Sequence, residues 1–398
     1  MATGHRAERL HLRVAWLCGV VLFLEGYDIA AVGYAIPSLA DAWQLRPPMF
    51  TEALTAGNVG LLLGSLGAGL AGDRLGRKPV LIGCVAVFGV FSLLSALVGS
   101  PLQLAGLRFL TRLGLGGGIP LAIALVSDFA PPLAQGRLVI LASTGVAIGF
   151  TVGGLLASQL VRFLGWPAIF VVGGVLPLAM VPLLTLRLPE SVALRTATRR
   201  HNLVAALFQE GLAPSTALLW AINLLNLLGV YFILLWTPAI LHSTGVSPSW
   251  AIFGTTMYAL GLIASPLLMA PVVDRFGMER VLTGGLAFGA LCVLSIGLFE
   301  PPFWLLSVVV CGAGIGGGCQ AGINSLSGLV YPPAVRSTGA GWALGAGRIG
   351  TIAGPLLGGV LLAFGWRPRD IFIAAAIPLF GVTVLMAILG RLRHERSK

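Results

Sequence analysis

The chain is short of charge. Only 10% of its 398 residues are Asp, Glu, Lys or Arg, and only 14 are acidic. A soluble domain carries about 25% charged residues, so a soluble globular fold of this length is excluded. Lysine is nearly absent, at Lys78 and Lys398 alone. The five cysteines (Cys18, Cys84, Cys292, Cys311, Cys319) all fall inside apolar runs. They show neither paired extracellular spacing nor zinc-ligand spacing, and read as small apolar residues. No nucleophile–base pair, metal-ligand cluster or cofactor loop stands out, so neither an enzyme nor a bound cofactor is expected. The glycine runs at 114–118 and 314–318 lack the flanking Lys and the strand–helix context of a phosphate loop. The net charge of +11 is not gathered on a soluble module, which argues against nucleic acid as a partner. Residues 1–25 end at Glu25 without a small-residue cleavage site, so a signal peptide is not expected.

What the chain has in quantity is apolar length. Hydrophobic residues make up 57%, with mean hydropathy +0.95. Twelve runs reach the ~20 residues that span a bilayer. They lie at 13–40, 50–72, 79–98, 101–127, 138–161, 166–187, 214–241, 250–273, 280–299, 302–330, 336–364 and 370–390. Lipid offers backbone groups no hydrogen bonds, so only helices or closed barrels cross it. These runs are too long and continuous for barrel strands. The expected class is an all-α membrane protein. Basic residues crowd one set of loops, leaving only Arg46, Arg162, Arg367 and Arg369 for the other face. That bias puts both termini in the cytoplasm.

Five charges break the apolar runs: Glu25, Asp28, Arg108, Arg112 and Arg348. Each would cost roughly 2.5–3.5 kcal/mol if it met lipid alone. They must face a protein-lined polar path. Glu25 and Asp28 are three residues apart, on one helix face. Neighbouring carboxylates in a poorly solvated site repel, and burial favours the neutral acid, so one or both is expected to bind protons. The alternative is a structural ion pair with an arginine of the fourth span. Arg348, set among glycines in "GAGRIGTIAGP", is read as the two-pronged anchor for an organic anion. Its alternative is a permanent bridge between helices. A second tier of candidates is polar or aromatic: Asn223, Asn226, Tyr231, Trp236, Tyr258, Gln320 and Asn324. Rings stack on flat ligands and amides bind hydroxyls, although lone intramembrane amides also bond neighbouring helices.

One long hydrophilic connection, 189–213, separates two halves, 1–188 and 214–398. The halves repeat. "GLAGDRLGRKPVL" at 69–81 returns 201 residues later as "APVVDRFGMERVL" at 270–282, and "PPLAQGR" at 131–137 is echoed by "PPAVRSTG" at 332–339. Parallel repeats of this kind build many secondary transporters. The glycines at 145, 149 and 153, and at 350, 354 and 358, recur every four residues, a spacing that lets helices approach closely.

These stretches carry a family resemblance that covers essentially the whole chain. "GDRLGRK" resembles the signature loop of the major facilitator superfamily. "EGYDIAAVGYAIPSLADAW" (25–43), "RFLTRLGLGGGIP" (108–120), "LPES" (188–191) and "YPPAVRSTGAGWALGAGRIGTIAGPLLGG" (331–359) resemble its aromatic acid/proton symporter family. The resemblance implies twelve transmembrane helices in two pseudo-symmetric six-helix halves. It implies proton-coupled import of a small organic anion, an aromatic carboxylate, by alternating access at a midplane site. Protons are the coupling ion, the membrane is a bacterial inner membrane, and the chain is expected to act as a monomer. Glu25 stands where the family's D-G-x-D motif has its first Asp. Arg108 matches the span-four arginine associated with proton coupling. Arg112 and Leu121 depart from the pattern, where Gly and Asn are expected. Arg112 either adds a second positive charge to the site or balances Glu25. Asp73, Arg74, Gly76, Arg77 and Lys78, with Asp128 and Arg137, form the expected cytoplasmic gate, repeated by Asp274 and Arg275. Asp73 is placed either to cap span three or to bridge to span eleven. Rival readings are a proton-coupled exporter, which would carry a Gly-Pro motif that span five lacks, a carrier of non-aromatic carboxylates, and a membrane sensor, for whose output domain the linker leaves no room.

Overall fold

The computed structural model describes residues 2–45, 51–191, 202–243, 248–299 and 303–396. All regular structure among them is helical. In order the helices are α1 (Ala2–Trp43), α2 (Thr51–Leu75), α3 (Arg77–Leu94), α4 (Pro101–Leu115), α5 (Gly118–Phe129), α6 (Gln135–Leu164), α7 (Pro167–Arg187), a single turn α8 (Leu203–Ala206), α9 (Ala213–Ser243), α10 (Pro248–Phe276), α11 (Met278–Leu298), α12 (Phe303–Gly318), α13 (Gln320–Val330), α14 (Arg336–Ala363) and α15 (Pro368–Arg396). Among the described residues nine segments are long and apolar enough to cross a membrane, two of them the composite rods Pro101–Phe129 and Trp304–Val330.

Local chemistry sets the helix ends. Ser100 caps α4, its Oγ accepting from Gln103 N at 3.3 Å with Pro101 behind it. Gly76 and Gly277 end α2 and α10 at φ +104° and +85°, a backbone region only glycine adopts at little cost.

Burial is the reverse of a soluble protein's. Arg77 and Arg108 are among the largest fully buried side chains, while Leu97, Leu186 and Ile377 are exposed. An apolar exterior around buried charge is what lipid as solvent demands.

The chain divides into two compact units, Met1–Leu207 with Tyr331–Gly345, and Phe208–Val330 with Ala346–Lys398. The segment 331–345 therefore packs with the first unit. Side chains of α2 and α5 hold it there, as described below. Each unit uses the same pairing. In the first, α1 packs along α6, the α4 rod along α2, and α3 along α7. In the second, α12 packs along α10 and α11 along α15, while α14 meets α9. Lipid supplies no hydrophobic drive between helices, so close approach through small residues does the work. A Cβ at Gly145 or Gly149 would overlap α1 carbonyls, and one at Gly350 or Gly354 would overlap α9 carbonyls. Both glycine stripes serve the same pair in their own unit.

The fourth and tenth rods break at matching positions of the repeat. α4 gives way to α5 at Gly116 and Gly117, and α12 to α13 at Cys319. Single tightened turns mark both, Gly117 N to Gly114 O at 3.3 Å and Cys319 N to Gly316 O at 3.2 Å. Candidate side chains from the sequence, Arg112 and Gln320 among them, lie close to these breaks.

Candidate functional site

In the first unit α1 and α4 bring Asp28 and Arg108 together. Arg108 Nη1 donates to Asp28 Oδ1 at 2.9 Å, and Arg112 Nε lies 3.8 Å from Asp28 Oδ2. Arg112 Nη1 also donates to Asn58 Oδ1 of α2 at 2.8 Å. The Arg108 guanidinium sits 5.4 Å from the centre of the Phe170 ring of α7, where a cation gains from the ring's negative face. Asp28 and Arg108 are 2% and 1% exposed. Among the described residues Arg108 Nε and Nη2 have no hydrogen-bond partner. This guanidinium therefore keeps unused donor capacity in a dry site.

Glu25 lies one turn earlier on α1 and is 2% exposed. Its carboxylate rests against the start of α5, where a Cβ at Gly118 would come within 2.9 Å of Oε2. It also lines a small cavity of about 10 Å³ whose other walls are apolar, among them Val21, Cys84, Phe88 and Leu115. That is about the space one water needs. The two carboxylates thus share a helix, with Asp28 bonded to Arg108 and Glu25 lining a cavity. Arg112 thus reaches both Asp28 and Asn58.

At one end of the same unit Asp128, whose side chain is 2% exposed, accepts from Arg77 Nη1, Arg336 Nη1 and Ser191 Oγ. Asp73 accepts from Arg77 Nη2 at 3.1 Å, and from the backbone N–H of Ser337 at 3.3 Å and Thr338 at 2.7 Å. Those N–H groups are the orphan donors at the start of α14, so Asp73 caps that helix from outside it. Of the two roles weighed for Asp73, bridging to span eleven is the one seen. The start of α3 is capped instead by Glu190, whose Oε1 accepts from Arg77 N at 3.2 Å and Lys78 N at 3.3 Å. Gly76 leaves room for it. Arg74 and Arg137 are exposed. Asp274 and Arg275 are exposed in the second unit, where the Arg275 guanidinium lies 5.4 Å from the centre of the Phe276 ring.

In the second unit the break at Cys319 delivers Gln320 to a cluster of amides. Gln320 Nε2 donates to Asn223 Oδ1 at 2.9 Å and to Asn324 Oδ1 at 2.8 Å, and Asn226 Nδ2 donates to Gln320 Oε1 at 2.8 Å. Asn226 and Tyr258 are 0% and 1% exposed, yet Asn226 Oδ1 and Tyr258 Oη have no hydrogen-bond partner among the described residues. One buried acceptor and one buried hydroxyl are thereby left over. α14 reaches α9 at Gly347, where a Cβ would lie 3.3 Å from Asn223 Cβ, one residue before half-buried Arg348. Tyr231 is half-buried on α9, and the Trp236 side chain lies outside the described residues.

Sequence reasoning did not single out Asn58, Phe170, Glu190, Ser191 or Arg336. Glu190 and Ser191 stood in the quoted "LPES" stretch. Arg336 was visible only as one more basic residue.

The sequence model of the Major Facilitator Superfamily matches residues 18–239 and 219–398. The chain belongs to the major facilitator superfamily. It is a multi-pass inner-membrane transporter and not an enzyme. Within the superfamily it is 35% identical to the 3-(3-hydroxy-phenyl)propionate transporter of Escherichia coli strain K12, over 98% of this chain and 96% of that protein. It is 32% identical to the gallate transporter of Pseudomonas putida, over 95% of this chain and 91% of that protein. Among solved structures, the proton:xylose symporter XylE bound to 6-bromo-6-deoxy-D-glucose superposes with a TM-score of 0.77 at 16% identity, covering 95% of each chain. That likeness shows the superfamily fold of twelve helices in two halves.

Proposed function

We propose that this chain imports a small aromatic carboxylate together with protons, by alternating access. The observation that carries the coupling is the buried Asp28–Arg108 pair, with Glu25 one turn away in a nearly dry site. The relatives named above, each matched over nearly their whole length, support the class of substrate.

Anion entry into a negative-inside cell is opposed by about 2.3 kcal/mol per charge per 100 mV, and one accompanying proton removes that cost. Protonation of Asp28 would withdraw the charge that holds Arg108 and change the balance between two conformations, as any ligand with differential affinity does. Glu25, beside its cavity, is the second proton-binding group. Arg348 anchors the substrate carboxylate, with Arg112 as a further positive charge. Asn226, Gln320, Asn324 and Tyr258 take the ring hydroxyls, and Tyr231 and Trp236 stack on the ring. Asp73, Gly76, Arg77 and Asp128 form the gate whose release permits the change of access, with Arg74, Arg137, Asp274 and Arg275 at its margin. The halves 1–188 and 214–398 move as bodies joined by the linker 189–213. Both termini are cytoplasmic, and a monomer suffices.

The test is uptake into proteoliposomes of labelled aromatic and aliphatic acids, with and without an inward proton gradient. Gradient-driven accumulation of an aromatic acid is expected. Efflux of lipophilic cations with no acid accumulated would overturn the reading.

A further inference from the structure

A cavity of about 650 Å³ opens beside the start of α11, in the second unit. Gly277, Glu279, Arg280, Arg391, Arg393 and His394 line it. Three guanidiniums and an imidazole face one carboxylate, and that carboxylate, Glu279, is held by Arg393. None of the residues described above as proton or substrate candidates lines it.

The internal repeat says what is missing there. Gly76 and Gly277 are the same turn, 201 residues apart, each followed by a helix with no capping side chain on the glycine itself. In the first copy an anion sits over the turn. Glu190 Oε1 accepts the first amides of α3, and a Cβ at Gly76 would come within 2.9 Å of Glu190 Oε2. In the second copy nothing lies within 4 Å of that position at Gly277. The residue 201 positions after Glu190 is Arg391, so the charge is reversed where the capping carboxylate would stand. Around the open turn are arginines in place of the missing anion. Beside them the cavity has apolar lining from Phe276, Met386 and Ala387, and Phe276 is 54% exposed.

We propose that this cavity binds a phosphate-bearing anion, and that in the membrane the ligand is the headgroup of an anionic phospholipid. The phosphate takes at α11 the place that Glu190 takes at α3. Guanidiniums match phosphate oxygens with paired hydrogen bonds. Basic pockets between the ends of transmembrane helices are where such headgroups are held. The apolar lining gives the acyl chains a wall that free phosphate would not need.

The full chain in neutral detergent is unfolded thermally with short-chain phosphatidylglycerol, short-chain phosphatidylcholine or inorganic phosphate at equal concentration. Phosphatidylglycerol is expected to raise the Tm and phosphatidylcholine to leave it unchanged. Arg280→Gln with Arg391→Gln should weaken the phosphatidylglycerol response about 30-fold in concentration, at about fivefold per charge. Arg187→Gln, an exposed charge on the other unit, should respond as wild type. Arg391→Glu supplies the carboxylate that the second copy lacks. It should keep its Tm without lipid and lose the response. Inorganic phosphate matching the lipid's full effect would overturn the lipid as ligand and leave phosphate. Equal effects of both lipids, or a wild-type response from all the cavity variants, would overturn the site.

Discussion

The two broken rods of this molecule do the same thing to the backbone and opposite things to the charge. The break after α4 sits just past Arg108 and Arg112, which hold the buried carboxylate of Asp28. The break before α13 delivers Gln320, which holds three neutral amides. A duplicated scaffold has kept its discontinuity in both copies and divided the chemistry. The first copy has groups that change charge with a proton. The second has groups that keep their dipoles at any pH and leave one acceptor and one hydroxyl to spare. Discontinuous helices near the midplane are where transporters place their sites. On the proposal made above, coupling belongs to one break and recognition to the other.

The sharpest way to break the comparison is Asp28→Asn, which should abolish gradient-driven accumulation while leaving exchange of labelled for unlabelled substrate intact. An equal loss of exchange would show that Asp28 serves binding and not coupling. Next in size are changes that strand a buried charge. Arg108→Ala should cost about 3–5 kcal/mol of stability in chemical unfolding, because the buried Asp28 carboxylate loses its hydrogen-bonded guanidinium and keeps only Arg112, 3.8 Å away. Asp128→Ala should cost a similar amount, about 3–5 kcal/mol, since Arg77 and Arg336 both bond to it. At Asp274, the exposed counterpart of the gate, the change to Ala should cost less, about 0–1 kcal/mol, since an exposed charge gains little from any partner. On the neutral side Gln320→Leu should cost about 1–3 kcal/mol by leaving amides unsatisfied. In competition uptake it should also erase any preference for hydroxylated over unsubstituted aromatic acids. The smallest effect expected is Glu190→Ala, about 1 kcal/mol for one helix cap, read by the shift of the thermal midpoint.

Much of this was legible in the residues. Charge in an apolar run is costly wherever it lies, so Glu25, Asp28, Arg108, Arg112 and Arg348 stood out before any geometry. The repeat of Gly76 at Gly277 and the glycine stripes of α6 and α14 were equally plain, because close approach and positive φ leave few other choices. Pairing was not legible. Glu25 and Asp28 share a face by spacing, but what meets each one depends on where α4 and α5 pass, which the spacing of α1 does not contain. The capping of α3 by Glu190 was hidden for the same reason, and the residues alone left Asp73 undecided between α3 and span eleven. A carboxylate's partner can be a backbone N–H of a helix more than a hundred residues away, and backbone donors carry no side-chain signature. The attachment of 331–345 to the first unit follows from those bonds.

The most direct measurement compares wild type and Asp28→Asn in proteoliposomes loaded at about pH 7.5 and diluted to about pH 6, following the labelled aromatic acid that the wild type takes up best. Uphill accumulation by the wild type, with equilibration only by the variant, is the predicted result. Uphill accumulation by both would contradict the assignment of proton coupling to the buried pair.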